Sequence, residues 1–159
     1  MFSIFDLAIG DAALAVCPLP GRFSPYEQDF TAILAWRPDL VLSLTERSEM
    51  EPFGAVFFPA DLKVQGIQCC HFPILDYQTP KPENAELWQS VEAKAGLILG
   101  QGGRVLVHCF GGCGRSGMVA LRLMRWTGLP ADEALPHLRT IRPCAIETPE
   151  QENWARAAF

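Results

Sequence analysis

The chain has 159 residues, 49% of them apolar, and a net charge of −5. That length suits one domain, residues 1–159, with a sizeable core, and the acidic balance argues against general nucleic-acid binding. No apolar run reaches the roughly 18 residues of a membrane span, and the N-terminus lacks the basic start of a secretory signal. Six cysteines without metal-type spacing point to free thiols and a reducing, cytoplasmic setting. Cys69, Cys70 and His71 are adjacent rather than spaced, so no metal or other cofactor is expected.

In chain order, Phe2 to Phe5 and Ala12 to Val16 read as two short strands around Gly10-Asp11. Ser24-Pro25 opens a helix, with Ser as cap and Pro in the first turn, and Pro38 stops it after Trp36. Asp39 to Leu44 is a buried strand. Glu46 to Met50 and Pro59 to Gln65 are short helical turns, the second closed by Gly66. Ile67 to Phe72 is a strand and Pro73 to Pro82 a loop. Glu83 to Leu99 is a helix with Leu87, Val91 and Ile98 along one face. A flexible Gly100 to Gly103 turn leads to the β-branched run Arg104 to Val107. A helix from Met118 to Trp126 ends at Gly128. Ala131 to Ile141 is helical with a kink or late start at Pro136, and Pro149 to Ala157 is a last helix. Strands alternating with helices predict an α/β fold, a mostly parallel central sheet flanked by helices on both faces.

Between the Arg104–Val107 strand and the following helix lies His108-Cys109-Phe110-Gly111-Gly112-Cys113-Gly114-Arg115-Ser116-Gly117. A glycine-rich loop at a helix N-terminus gathers backbone N–H groups and binds anions. Cys109 is expected to ionise in that field and act as a nucleophile. Arg115, six positions later, can grip two phosphate oxygens at once. Phe110, Gly111, Gly112, Cys113, Gly114 and Arg115 are therefore the candidate phosphate-binding positions. Among the six cysteines only Cys109 has an Arg at this spacing.

Gly112-Cys-Gly114-Arg-Ser-Gly117 also spells a dinucleotide fingerprint, with Asp132 twenty residues beyond Gly112. That motif needs a buried strand just before the acid. Thr127 to Ala131 offers a helix end and a proline instead. A nucleoside-triphosphate loop lacks its Lys.

The 108–117 segment resembles the signature of the cysteine-dependent protein tyrosine phosphatase superfamily. Phe72-Pro-Ile-Leu-Asp76-Tyr-Gln-Thr-Pro80 is similar to the general-acid loop of its small dual-specificity members, especially the kinase-associated type. The resemblance implies a phosphatase-like fold and a protein tyrosine or dual-specificity phosphatase acting on phosphoproteins or phosphopeptides through a phosphocysteine intermediate. It implies Cys109 as nucleophile, Asp76 as the acid that protonates the leaving group, and Ser116 as a hydrogen-bond donor to sulfur. His108 is expected to orient the loop through the backbone. Thr148 and Gln151 match a Gln-Thr-x-x-Gln segment that positions water, but Glu147 stands where the first Gln belongs. A carboxylate turned toward the site would repel both nucleophile and substrate; the plainer expectation is that it faces solvent. The signature loop carries no Lys, which argues against polyanionic inositol phosphates. A rhodanese-type sulfurtransferase and a non-catalytic phosphoprotein-binding module are the competing readings. Arg115-Ser116 and Asp76 argue against the first; the full set of Cys109, Arg115 and Asp76 argues against the second, because a binder needs neither nucleophile nor acid. Oxidised Cys109 has three candidate partners, Cys113, Cys69 and Cys70.

Overall fold

The computed structural model describes all 159 residues. Five strands form one sheet in the order β1-β2-β5-β3-β4, with β1 Phe5–Ile9, β2 Ala12–Cys17, β3 Leu40–Ser43, β4 Gln68–His71 and β5 Arg104–His108. Only the β1–β2 pair is antiparallel; the other three pairings are parallel. The expected first strand, Phe2 to Phe5, lies too early. A tight turn at Gly10-Asp11, with Gly10 at φ +58°, makes the strand run up to Ile9 and pairs Phe5 with Val16.

The helices are α1 Tyr26–Trp36, α2 Arg47–Met50, α3 Phe58–Val64, α4 Ala85–Gly100, α5 Gly114–Trp126, α6 Ala131–Ile141 and α7 Pro149–Arg156. Strand side chains alternate between two cores. Leu14, Val16, Leu40, Leu42, Val105 and Val107 face Trp88, Val91, Leu121 and Leu138 of α4, α5 and α6. Ala15, Cys17, Val41 and Leu106 face Ile33, Phe58 and Leu62 of α1 and α3. Burying a leucine such as Leu106 contributes about 1.5–3 kcal/mol. The buried face of α4 runs through Trp88, Val91, Ala95 and Leu99, while Leu87 is exposed. The stripe is thus offset from the expected Leu87–Val91–Ile98 line, because Trp88 carries the larger apolar surface.

Two local expectations need correction. Ser24 does not cap α1; its hydroxyl donates to Asp29, and Pro25 holds the cap position. Pro136 lies inside a continuous α6. No strand precedes Asp132, which opens α6 and pairs with Arg156 on the surface, so the dinucleotide reading fails. No helix is long and apolar enough to cross a membrane.

Candidate active site

β5 is the central strand, and the loop leaving its C-terminal end enters α5 directly. This places residues 109–115 where parallel sheets gather their ligands. The loop is held by its carbonyls. Phe110 O accepts from Leu19 N (3.2 Å) and Arg22 Nη1 (3.1 Å). Arg142 donates to Gly111 O (2.8 Å) and Gly112 O (3.0 Å). Cys113 O accepts from Gly117 N (2.9 Å) and Ile146 N (3.3 Å). With the carbonyls committed outward, the N–H groups from Phe110 through Ser116 have no protein acceptor. Seven successive amides are thus unengaged at the N-terminus of α5, the arrangement that anion binding requires. Gly112 is required there: its φ is +70°, and a Cβ would lie 2.7 Å from the Cys17 carbonyl carbon.

Cys109 is 2% exposed, and its Sγ lies 3.3 Å from the Ser116 hydroxyl. His108 is fully buried against the Phe58 ring. Its Nδ1 faces the Cys109 carbonyl, which only accepts, so the neutral ring carries its proton there. Nε2 then accepts from the Ser43 hydroxyl at 2.7 Å. Burial depresses the imidazole to about 4. The ring is thus fixed by one backbone and one side-chain bond.

Arg115 is 1% exposed. Its Nη1 and Nη2 grip Glu49 at 2.8 and 2.7 Å. Nη1 also donates to Ile74 O (2.9 Å), and Nη2 lies 3.2 Å from Asp76 Oδ1. Its Nε has no partner in the protein. One guanidinium therefore fixes itself on Glu49, tethers the Asp76 loop to the signature loop, and keeps a buried donor in reserve. Burial alone would raise the Glu49 carboxyl; the Arg115 and Glu46 hydrogen bonds outweigh it and lower it. Burial would likewise lower Arg115, but Glu49 holds it protonated, above the ordinary guanidinium value.

Glu49 is a functional residue the sequence reading missed. It also caps α2, taking the Glu46 N–H at 2.8 Å, and only the local half of its work follows the capping-box pattern. Arg142 and Arg22 were missed too. A cation opposite a loop carbonyl leaves no sequence pattern.

Gln151 is fully buried, and each end of its amide has one partner. Its Oε1 accepts from Glu147 N (3.0 Å), and its Nε2 donates to Gln78 O (3.4 Å) on the acid loop. Glu147 is exposed, yet it lines the cleft together with Cys109, Asp76 and Arg22. A Cβ on Gly114 would meet its Oε2 at 2.2 Å. Its carboxylate thus stands at the exposed rim of the cleft.

The cysteines depart from the all-thiol expectation. Cys113 is in a disulfide with Cys144. It contributes its amide to the loop but has no thiol to offer Cys109. Cys69 and Cys70 lie on β4, with β3 between them and β5. Two strand spacings, about 9.5 Å, exceed the Cα separation a disulfide allows. All three candidate partners for oxidised Cys109 are thereby removed.

Cys109 at the head of a run of unengaged amides, with Arg115 in the same loop and Asp76 lining the same cleft, is the arrangement of a cysteine-dependent phosphatase. The family model described as "Swiss Army Knife protein, DSP-PTPase phosphatase domain" matches residues 25–155, and the chain belongs to that family. It is 28% identical over 148 residues to mouse cyclin-dependent kinase inhibitor 3, covering 89% of this chain and 69% of the relative. It is 34% identical over 70 residues to the tyrosine-protein phosphatase CDC14 of Candida albicans, 43% of this chain but only 13% of that protein. Among solved structures, kinase associated phosphatase superposes with a TM-score of 0.82 at 23% identity, covering 97% of this chain and 92% of the other. The active form of Tk-PTP gives 0.71 at 29% identity, covering 96% and 92%. PTPMT1 in complex with PI(5)P gives 0.68 at 17%, covering 96% and 92%. The sulfurtransferase and non-catalytic readings are not favoured by these relatives.

Proposed function

We propose that the chain hydrolyses phosphate monoesters on proteins, phosphotyrosine first, through a Cys109 phosphocysteine intermediate. The run of unengaged amides from Phe110 to Ser116 around Cys109 carries this reading. Cys109 Sγ attacks phosphorus, the P–S bond forms, and the P–O bond to the leaving group breaks. Asp76 gives its proton to the departing oxygen. The loop amides and Arg115 hold the charge on the three remaining oxygens. Water then attacks phosphorus and the P–S bond breaks. Asp76 takes the proton from water, and the Ser116 hydroxyl stabilises the leaving sulfur. A phenolate, with a conjugate acid near pKa 10, depends less on Asp76 than an alkoxide does. Phosphoserine and phosphothreonine are therefore the slower substrates.

Cys109→Ser tests the reading. Turnover of an aryl phosphate and of a phosphotyrosine peptide is expected to vanish while peptide binding survives, because the amides and Arg115 remain. Wild-type turnover is expected to persist in EDTA, since every charge-stabilising group named is an amide or an Arg. Residual turnover by the variant, or chelator inactivation reversed by Mg²⁺ or Zn²⁺, would overturn the mechanism.

A further inference from the structure

The cleft over Cys109 has one wall unused by the chemistry above. Residues 18–25, between β2 and α1, fold over the first half of the signature loop. Their shape is fixed by Asp29, 1% exposed, which accepts from Gly21 N (2.8 Å) and from the Ser24 hydroxyl. Leu19 N bonds Phe110 O, so this segment and the signature loop are joined directly. Arg22 is thereby carried to the rim. Its guanidinium lies 4.1 Å from the Phe110 ring centroid and 4.6 Å from that of Phe23, and its Nη1 donates to Phe110 O. It lines the same cleft as Cys109 and Asp76.

Two facts separate Arg22 from an ordinary surface cation. It is in no salt bridge, although the chain is acidic overall and Asp29 is close in sequence. Asp29 is already committed to the loop's own donors. Of the five N–H bonds of the guanidinium, one serves Phe110 O and none serves a carboxylate. The aromatic faces fix the plane of the group, so little rotamer freedom remains to be lost on binding. Glu147 stands in the same cleft at Gly114, the far end of the loop. The rim is thus polarised, positive beside Phe110–Gly111 and negative beside Gly114.

We infer that Arg22 is a specificity-determining residue. It receives an anionic group that a phosphopeptide carries beside its phosphorylated residue, and Glu147 rejects the same group on the opposite side. The anion is an Asp or Glu carboxylate or a second phosphate, since both present oxygens to the planar fork. This rests on the phosphatase reading and adds the substrate class. An inositol polyphosphate fits less well, because its charges spread to both sides and one set would face Glu147. The exposed apolar rings of Phe23 and Tyr77 suit a peptide flank.

The test is kcat/KM on phosphotyrosine peptides that are neutral, acidic on the N-terminal side, acidic on the C-terminal side, or doubly phosphorylated. A short-chain phosphoinositide is run beside them. The wild type is expected to prefer acid on one side only, by roughly tenfold at low salt, the value of one good charge-assisted contact. The preference shrinks as salt rises. Arg22→Gln is expected to bring the acidic-to-neutral ratio within about twofold of unity, and Arg22→Lys to keep its direction. A loop merely loosened by substitution would slow all peptides together and leave the ratio alone. An unchanged ratio in Arg22→Gln, no one-sided preference in the wild type, or a preference for the phosphoinositide would overturn the inference. Wild-type failure on every substrate, the plain aryl phosphate included, would instead overturn the phosphatase reading, and this inference with it.

Discussion

His108 ties the site to acid stability. Its imidazole is held near 4 in the fold by burial, against about 6.5 in an unfolded chain. Between those values the unfolded chain binds the extra proton, so the stability contributed by the neutral ring falls as pH drops through that window and is gone below it. The gap corresponds to roughly 3 kcal/mol. Glu49 pulls the same way at lower pH, because its carboxyl is depressed by Arg115 and stabilises only while ionised. Urea midpoints are expected to drop between pH 7 and pH 4.5 in the wild type, and less steeply in His108→Asn. Parallel pH profiles for the two proteins would show that His108 does not titrate as a buried neutral ring. At this scale Cys109, Arg115 and Ser116 were legible because eight residues of one strand–loop–helix junction contain them. Glu49, Arg142 and Arg22 were not. Their bonds span 66, 30 and 88 residues of sequence, and each is specified only when strands from distant parts of the chain are in register.

The segment between β4 and α4 is placed by the site rather than by its own propensity. Arg115 accounts for two of its anchors, Ile74 O and Asp76 Oδ1, and Gln151 for a third at Gln78 O. Tyr77 turns in the left-handed region, φ 60°, a conformation that costs a non-glycine residue about 1 kcal/mol or more, and its N–H bonds Asp76 Oδ1 at 3.0 Å. The strained turn holds Asp76 toward the cleft. Asp76→Asn is expected to lose about 10²- to 10⁴-fold on substrates with alkyl leaving groups and far less on activated aryl esters. Its plot of log kcat against leaving-group pKa should be steeper than the wild type's; an equal loss across the series would remove Asp76 as the acid. The loop itself was legible from its prolines. Its closed position was not, because the anchors belong to α5 and α7.

The C-terminal third of the molecule is fastened to the signature loop. α5 is buried along most of its length. Arg122 pairs with the buried Glu92 of α4 and donates to Trp154 O, drawing α7 in. The Cys113–Cys144 bond closes a stretch with a sequence separation of 31. A loop of that size is worth about 3–4 kcal/mol in the chain-entropy account. A non-thiol reductant is expected to lower the wild-type melting temperature, Cys144→Ser to start from the lower value, and the variant to ignore the reductant. A wild-type melting temperature indifferent to reduction would mean that the bond does not form in solution. Cysteine counts gave no hint of this pair, since the two residues meet only when α6 has folded back across the sheet.

Arg142 and Cys144, two residues apart, grip Gly111, Gly112 and Cys113 from behind. Everything between Gly117 and Ile141 therefore acts as a spacer whose length is part of the active site. Deleting one residue from α6 would shorten the path by about 1.5 Å and swing all that follows by roughly 100°. Such a deletion would let go of the loop's carbonyls without altering any residue that meets the phosphate.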